Sequence, residues 1–284
     1  MAKTSIQKFD FRLSPRKPFD VMYTGTTGVS AVPTQLDMHK AIHFGLLLAG
    51  RLKSVTRGRT YSLSPGDCYL IAPWEPHGVM WREDSSILLL SISGEELARN
   101  FLDAGDNLRN LLQTDPDRRT ALLNASEMRL FVQEFRRDFE ALEAEPSPNR
   151  TRQWHRITGF FIDLDARLTL PGEPPPYQRL DKALELIHQR NGEPVSLEEA
   201  ATSCSLGKSR FRHLFKDYFG ISFGSYELQY RLSGAAESLS YRNLPLKEIA
   251  EQWGFFDAAH FSRYFRKYYG VSPGHYQKSF SKQR

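Results

Sequence analysis

The sequence predicts a multidomain α+β protein: a β-rich first part closed into a barrel, a helical segment after it, and an all-α last part. Three observations carry this. Residues 39–93 hold short β-rich runs separated by Gly, Pro and Asp turn signals about every eight to twelve residues. From Gly94 the apolar spacing changes from strand-like to helical. Between Leu197 and Tyr276 one structural unit is written twice.

In the first part, residues 1–35 are expected to form an arm and an edge strand. The runs HFGLLLAG, GRLKSV, RTYSLSPGD, CYLIAP, GVMW and SILLLSIS are predicted strands. Three helices are predicted over 95–112, 126–143 and 150–169, broken by Asp/Pro and PSP signals. In the third, Trp154, Ile157, Phe161, Leu164 and Leu168 step by 3, 4, 3 and 4, the a/d spacing of a coiled-coil seam. That seam either joins two chains or packs the helix onto its own barrel. PGEPPPYQ, with four prolines in eight residues, excludes helix and strand and predicts an extended linker. The expected boundaries are therefore 1–94 for the barrel, 95–170 for the helical dimerisation segment, 171–178 for the linker and 179–284 for the last domain.

Composition limits the partners. The chain has 284 residues, 40% hydrophobic and 25% charged, enough for two globular cores. Residues 1–176 carry 22 Lys+Arg against 22 Asp+Glu, and residues 177–284 carry 16 against 11, so the net +5 belongs to the C-terminal part. A basic module beside a neutral one points to a polyanion as the partner of the former. Cys68 and Cys204 lack metal-type spacing and are expected as reduced thiols. Neither a signal-peptide pattern nor an apolar run long enough to span a bilayer is present, so a cytoplasmic location without membrane contact is expected.

Each copy of the repeat has a short amphipathic helix, a tight break and a second helix with apolar residues at i, i+3, i+4 and i+7. These are Phe211, Leu214, Phe215 and Tyr218 in the first copy, and Phe261, Tyr264, Phe265 and Tyr268 in the second. That is the grammar of a helix-turn-helix. Ser196 before Leu197-Glu198-Glu199 predicts a capping box, and Ser222 and Ser272 are predicted caps of the helices that follow. The outer face of each second helix is basic, which predicts double-stranded DNA as the partner. Ser209, Arg210 and His213, with Ala258, His260 and Arg263, lie near the helix starts and are expected at base edges. Lys208, Arg212, Lys216, Arg266 and Lys267 are expected at phosphates. Tyr226–Ser240 reads as a connecting helix about 22 Å long. With the widths of the modules added, the recognition helices would approach the roughly 34 Å between successive major grooves on one side of B-DNA.

The run from Arg179 to Lys278 resembles the DNA-binding domain of the AraC/XylS regulators. The resemblance rests on Tyr226, Arg231-Leu232, Ala235, Ile249-Ala250, Gly254-Phe255, Phe261-Ser262-Arg263, Phe265, Gly270 and Ser272-Pro273. Two departures concern the second module. Phe256 stands where a small polar cap is usual and Ala259 where Ser is usual, so Asp257 is expected to cap in their place. In the first module Gly207 occupies the cap position. Residues 39–93 resemble the cupin-type sensing domain of the same regulators through Gly50, Pro65-Gly66-Asp67 and Pro73-Trp74-Glu75-Pro76-His77.

The resemblance implies a transcription regulator, more often activating than repressing, that works as a homodimer through its 150–169 helix and responds to an effector. RNA polymerase is a further partner it allows. Trp74 and Trp81 flank His77, and His43, Arg51 and Arg59 are expected at the same barrel mouth. Aromatic faces with a few polar donors suit a small polar molecule such as a sugar, the alternative being that both Trp residues fill the core. Catalytic cupins carry an HxH pair and a Glu on an early strand plus a later His. The strand after Gly50 has no histidine, and His39 and His43 lie upstream, so no metal, cofactor or catalytic residue is expected. The alternatives are a cupin isomerase or oxygenase fused to a DNA reader, and a ligand-independent regulator.

Overall fold

A computed structural model describes residues 13–26, 36–102, 106–144, 149–168, 180–241 and 244–281. The chain divides into two compact units, Leu13–Pro176 and Tyr177–Arg284. The Pro-rich linker lies outside the described residues, as does much of the N-terminal arm.

Among the described residues the first unit is built on five antiparallel strands: β1 (Phe19–Thr26), β2 (Ile42–Thr56), β3 (Arg59–Leu63), β4 (Cys68–Ile71) and β5 (His77–Ile92). β5 runs along one edge of β2, while β4 and β3 share the other edge, and β1 flanks β5. Two pairs of predicted strands are fused. HFGLLLAG and GRLKSV form the single strand β2, and GVMW and SILLLSIS the single strand β5. Gly50 does not end the strand. It sits at φ +77° within two register shifts between Leu47 and Arg51, and a Cβ there would lie 2.3 Å from the Asp84 carbonyl oxygen. The bulge lets the strand bend without stopping.

One sheet face, including Ile42, Phe44, Leu46, Leu70, Leu88 and Leu90, is buried against the helices that follow. These are α1 (Gly94–Ala98), α2 (Asp106–Gln113), α3 (Pro116–Leu123), α4 (Ser126–Glu143) and α5 (Arg150–Leu168). The predicted 95–112 helix is therefore two helices. The Asp115-Pro116 pair, read as a break, starts α3: the Asp115 side chain accepts from the Asp117 N–H, and Pro116 takes the first turn.

The a/d seam of α5 is turned inward. Ile157, Phe161 and Leu164 are fully buried in the unit's own core, and Trp154 stacks on Phe19 at 6.0 Å between centroids. Ile157, Phe161 and Leu164 are thus taken up by the chain's own packing while Trp154 is half-buried; the side chain of Leu168 lies outside the described residues. The spacing correctly marks an apolar stripe, and Phe161 of that stripe packs on Phe44 with ring centroids 6.3 Å apart.

The described residues of the second unit form helices only: α6 (Asp181–Arg190), α7 (Leu197–Ser203), α8 (Lys208–Phe219), α9 (Phe223–Tyr241), α10 (Leu246–Gln252), α11 (Ala258–Tyr269) and α12 (Pro273–Ser281). Among the described residues no helix is long and apolar enough to cross a membrane.

Candidate nucleic-acid interface and sensor site

The helix-turn-helix pairs are α7 with α8 and α10 with α11. Phe211, Phe215, Phe261 and Phe265 are fully buried, as are Ala200, Ala201 and Ala250 on the first helix of each pair. The Ser196/Glu199 capping box has both of its bonds, and Arg190 adds an ion pair to Glu199 at 2.5 Å. Ser222 and Ser272 accept from the N–H groups of Ser225 and His275. At α11 the Asp257 side chain accepts from the His260 N–H at 2.6 Å, while Phe256 stands 91% exposed. Gly207 precedes α8 without a side-chain cap. Asp257→Ala is therefore expected to cost about 1 kcal/mol, and Gly207→Ser to add a few tenths, in urea titrations of the chain.

Ser209, Arg210, Arg212, His213, Lys216, Arg263, Arg266 and Lys267 are all exposed. Arg210, Arg212, Lys216 and Arg266 make no ion pair among the described residues. Lys208 reaches Glu198 at 3.0 Å and His213 reaches Asp217 at 3.1 Å, both exposed pairs of the kind that contribute little and exchange readily for a phosphate. His260 is half-buried, with its ring 5.9 Å from Phe255 and 4.9 Å from Tyr264, and Ala258 is half-buried beside it.

The two modules are tied by a device that the spacing alone did not reveal. α9 is 19 residues, about 28 Å, four residues longer than the predicted connection. On it Glu227 and Arg231 form a nearly buried pair, Nε to Oε1 at 2.7 Å, with side chains 9% and 12% exposed. Glu227 also accepts from the Val195 N–H at 3.4 Å, just before the first module. Arg231 donates to the carbonyls of Trp253 and Gly254 at 3.3 and 3.0 Å and lies 4.9 Å over Phe255, in the turn of the second. That turn abuts the loop entering the first module: Gly254 has φ +64°, and a Cβ there would lie 2.6 Å from the Gly192 carbonyl oxygen. The Trp253 ring rests on Gly234, and its indole N–H donates to Ser238 at 3.0 Å. Each module is thus held to α9 by polar bonds with defined directions.

In the first unit the expected ligand set does not converge. Arg51 is exposed, because the register shifts around Ala49 reverse the alternation of β2. Arg59 begins β3 and pairs with Asp115 at 2.7 Å and with Asp117, both in the entry to α3. Trp81 is buried opposite Leu52 and serves the core. Trp74 is half-buried in a turn at φ +59°, a strained conformation for a bulky residue. His43 and His77 do come together, with ring centroids 5.6 Å apart, and the structure adds His39, 4.0 Å from His43 and 4.7 Å from His77. The histidine pair sought after Gly50 lies before it, in the lead-in to β2 and at its second residue; His39-x-x-x-His43 was the signal. Burial, reinforced for His39 by the nearby His77, lowers the pKa of His39 to about 3 and that of His43 well below the ordinary value.

Beneath these rings Glu75 is buried between two arginines, at 2.5 Å from Arg57 Nε and 2.7 Å from the Arg119 guanidinium. It also accepts from the Ala72 N–H at 2.8 Å. None of the three was expected from the sequence as a unit.

A cupin-like sheet unit and a double helix-turn-helix unit together define the class of a two-domain transcription regulator. Residues 200–279 match a helix-turn-helix domain model and residues 29–93 a cupin domain model. The chain is 32% identical over 98 residues to the probable transcription factor PqrA of Proteus vulgaris, covering 34% of this chain and 80% of that one. It is 35% identical over 102 residues to the probable transcriptional regulator LumQ of Photobacterium leiognathi, 35% of this chain and 41% of that one. The match thus spans about two fifths of LumQ. The fold is similar to that of unsaturated fatty acid-bound ToxT from Vibrio cholerae, with a TM-score of 0.53 at 14% identity, over 91% of this chain and 94% of that one. The chain belongs to the AraC/XylS family of transcription regulators.

Proposed function

We propose that the chain is an effector-responsive activator whose two recognition helices, α8 and α11, read adjacent major-groove segments of one operator. The observation that supports this most directly is the pair of exposed cationic helices tied through Glu227 and Arg231. Ser209, Arg210, His213, Ala258, His260 and Arg263 take base edges, and Lys208, Arg212, Lys216, Arg266 and Lys267 take phosphates. Residues 1–94 form the sensor, 95–170 the helical segment, 171–178 the linker and 179–284 the DNA reader. The effector is a small polar molecule, and its binding changes the geometry of a homodimer on the promoter, where RNA polymerase is then recruited. With Ile157, Phe161 and Leu164 buried in the chain's own core, that dimer uses other residues. The fatty acid bound by ToxT supports a small-molecule effector as a class.

The test is selection of bound sites from random DNA, followed by titration of variants. Arg210→Ala or Arg263→Ala is expected to cost about 1–3 kcal/mol and relax preference at one base position. Lys267→Ala is expected to weaken all sequences alike and reduce the salt slope by about one. Equal loss on every sequence for Arg263→Ala would contradict the assignment.

A further inference from the structure

We propose that Phe256, together with Ala259, covers the 5-methyl group of a thymine in the DNA element that α11 reads. The inference rests on α8 and α11 reading DNA, and adds the base chemistry that separates them. Phe256 is a single residue inserted into the turn of the second module. Both turns leave their first helix in the same way. Ser205 and Gly254 sit at φ +54° and +64°, and the residues after them, Leu206 and Phe255, donate to the Ala201 and Ala250 carbonyls at 2.9 and 2.8 Å. In the first module the cap position, Gly207, follows Leu206 at once, whereas in the second Phe256 separates Phe255 from the Asp257 cap.

The inserted residue is held in place by its neighbours. Before it, Phe255 is buried with its ring 5.1 Å from that of Phe261, and Arg231 donates to the Gly254 carbonyl at 3.0 Å. After it, Asp257 accepts from the His260 N–H at 2.6 Å. Phe256 itself is 91% exposed and has no ring contact among the described residues. An isolated exposed apolar side chain means little by itself. Here the position decides: α11 begins two residues later, and the start of a recognition helix is the part that reaches base edges.

On α11 the exposed residues Ala259, Arg263, Arg266 and Lys267 stand at i, i+4, i+7 and i+8, which is one face of the helix. That face is apolar at its leading end and cationic beyond it. At the leading end of α8 the exposed residues are Lys208, Ser209 and Arg210, all polar. Of the four bases thymine alone presents a methyl group in the major groove, and alanine and phenylalanine are among the residues that contact it. The cations that follow suit phosphates and not an apolar protein surface, so DNA is the occupant the face favours. α8 is thus equipped for hydrogen-bonding base edges, and α11 for a thymine.

Sites bound by the full chain are selected from random DNA, and each thymine of a selected site is then replaced singly by deoxyuridine, which removes only the methyl. For the wild type one such replacement is expected to weaken binding about fourfold, the worth of one buried methyl. Phe256→Ala should lose at least as much on the thymine site and then bind the thymine and deoxyuridine sites equally, while Phe256→Leu should keep part of the discrimination. Urea titrations of Phe256→Ala should match the wild type, because the side chain is exposed. No loss at any deoxyuridine position, or the same discrimination in Phe256→Ala, would overturn the proposal. Unchanged DNA affinity for Phe256→Ala would overturn it too, and would point to a protein partner for the ring. A chain that selects no sequence would bring down the operator reading along with it, whereas a selected site indifferent to its thymine methyls brings down this proposal alone.

Discussion

Arg231→Ala should unfold or loosen the DNA-binding unit by about 3–5 kcal/mol, the cost of leaving a nearly buried partner charge, here Glu227, uncompensated. The magnitude is set by what the guanidinium satisfies. It neutralises Glu227, donates to two carbonyls in the turn of the second module and covers the face of Phe255. Alanine removes all of these and leaves the Trp253 and Gly254 carbonyls to find other donors. Replacing both partners, Glu227→Gln with Arg231→Met, removes the buried charges together and should recover part of the stability. The double variant still lacks the directed bonds to the second turn. In urea titrations it should therefore be more stable than Arg231→Ala, yet bind a two-element operator less tightly than the wild type.

The counterpart in the sensor unit is Glu75→Gln, with an expected loss of about 3–5 kcal/mol at neutral pH. Arg57 and Arg119 are both nearly inaccessible, and Glu75 is the carboxylate between them. Arg119 also donates to the Leu112 carbonyl at 2.6 Å, so it cannot swing out to water without breaking a second buried bond. Burial alone would raise the Glu75 pKa, but the charges of Arg119 and Arg57 and the Ala72 N–H outweigh it and hold the carboxyl below 4.5. The folded value is thus depressed relative to the unfolded one. Its contribution is complete above about pH 4.5 and fades as the pH falls through the folded value. Urea titrations of wild type and Glu75→Gln should differ most near neutral pH and converge on acidification; a constant difference would show that the carboxylate charge is not the cause.

How legible the molecule was in its sequence depended on what each pattern encodes. The repeat was legible because local rules and packing agree: Phe211/Phe215 and Phe261/Phe265 fall on one stripe, and Ser196, Asp257 and Ser272 cap where the periodicity begins. In α5 the same reasoning found the stripe but not its partner, since periodicity names a buried face without saying what covers it. Arg51 was misplaced for a different reason. A bulge at Ala49–Gly50 reverses inside and outside, and a lone Gly reads equally well as a strand end. Arg59 followed the same strand logic and is claimed by carboxylates 56 and 58 residues away. Glu75 meets Arg57 and Arg119, 18 and 44 positions away, and His77 meets His39 and His43, 38 and 34 positions away, so neither group is complete in any local stretch; both depend on the turn that carries Trp74. Glu227 and Arg231 were visible as an i, i+4 pair on α9, but their role depends on a turn 22 residues further on.

The central claim, that one chain reads two neighbouring groove segments with α8 and α11 held at fixed separation, is tested by inserting DNA between the two elements of a selected operator. Inserting about half a helical turn, roughly five base pairs, places the second element on the opposite side of the duplex. Because α9 and the Glu227–Arg231 pair cannot stretch to follow it, the affinity of the isolated second unit should fall to that for a single element. Unchanged affinity on the expanded site would show that the modules move independently and would contradict the account.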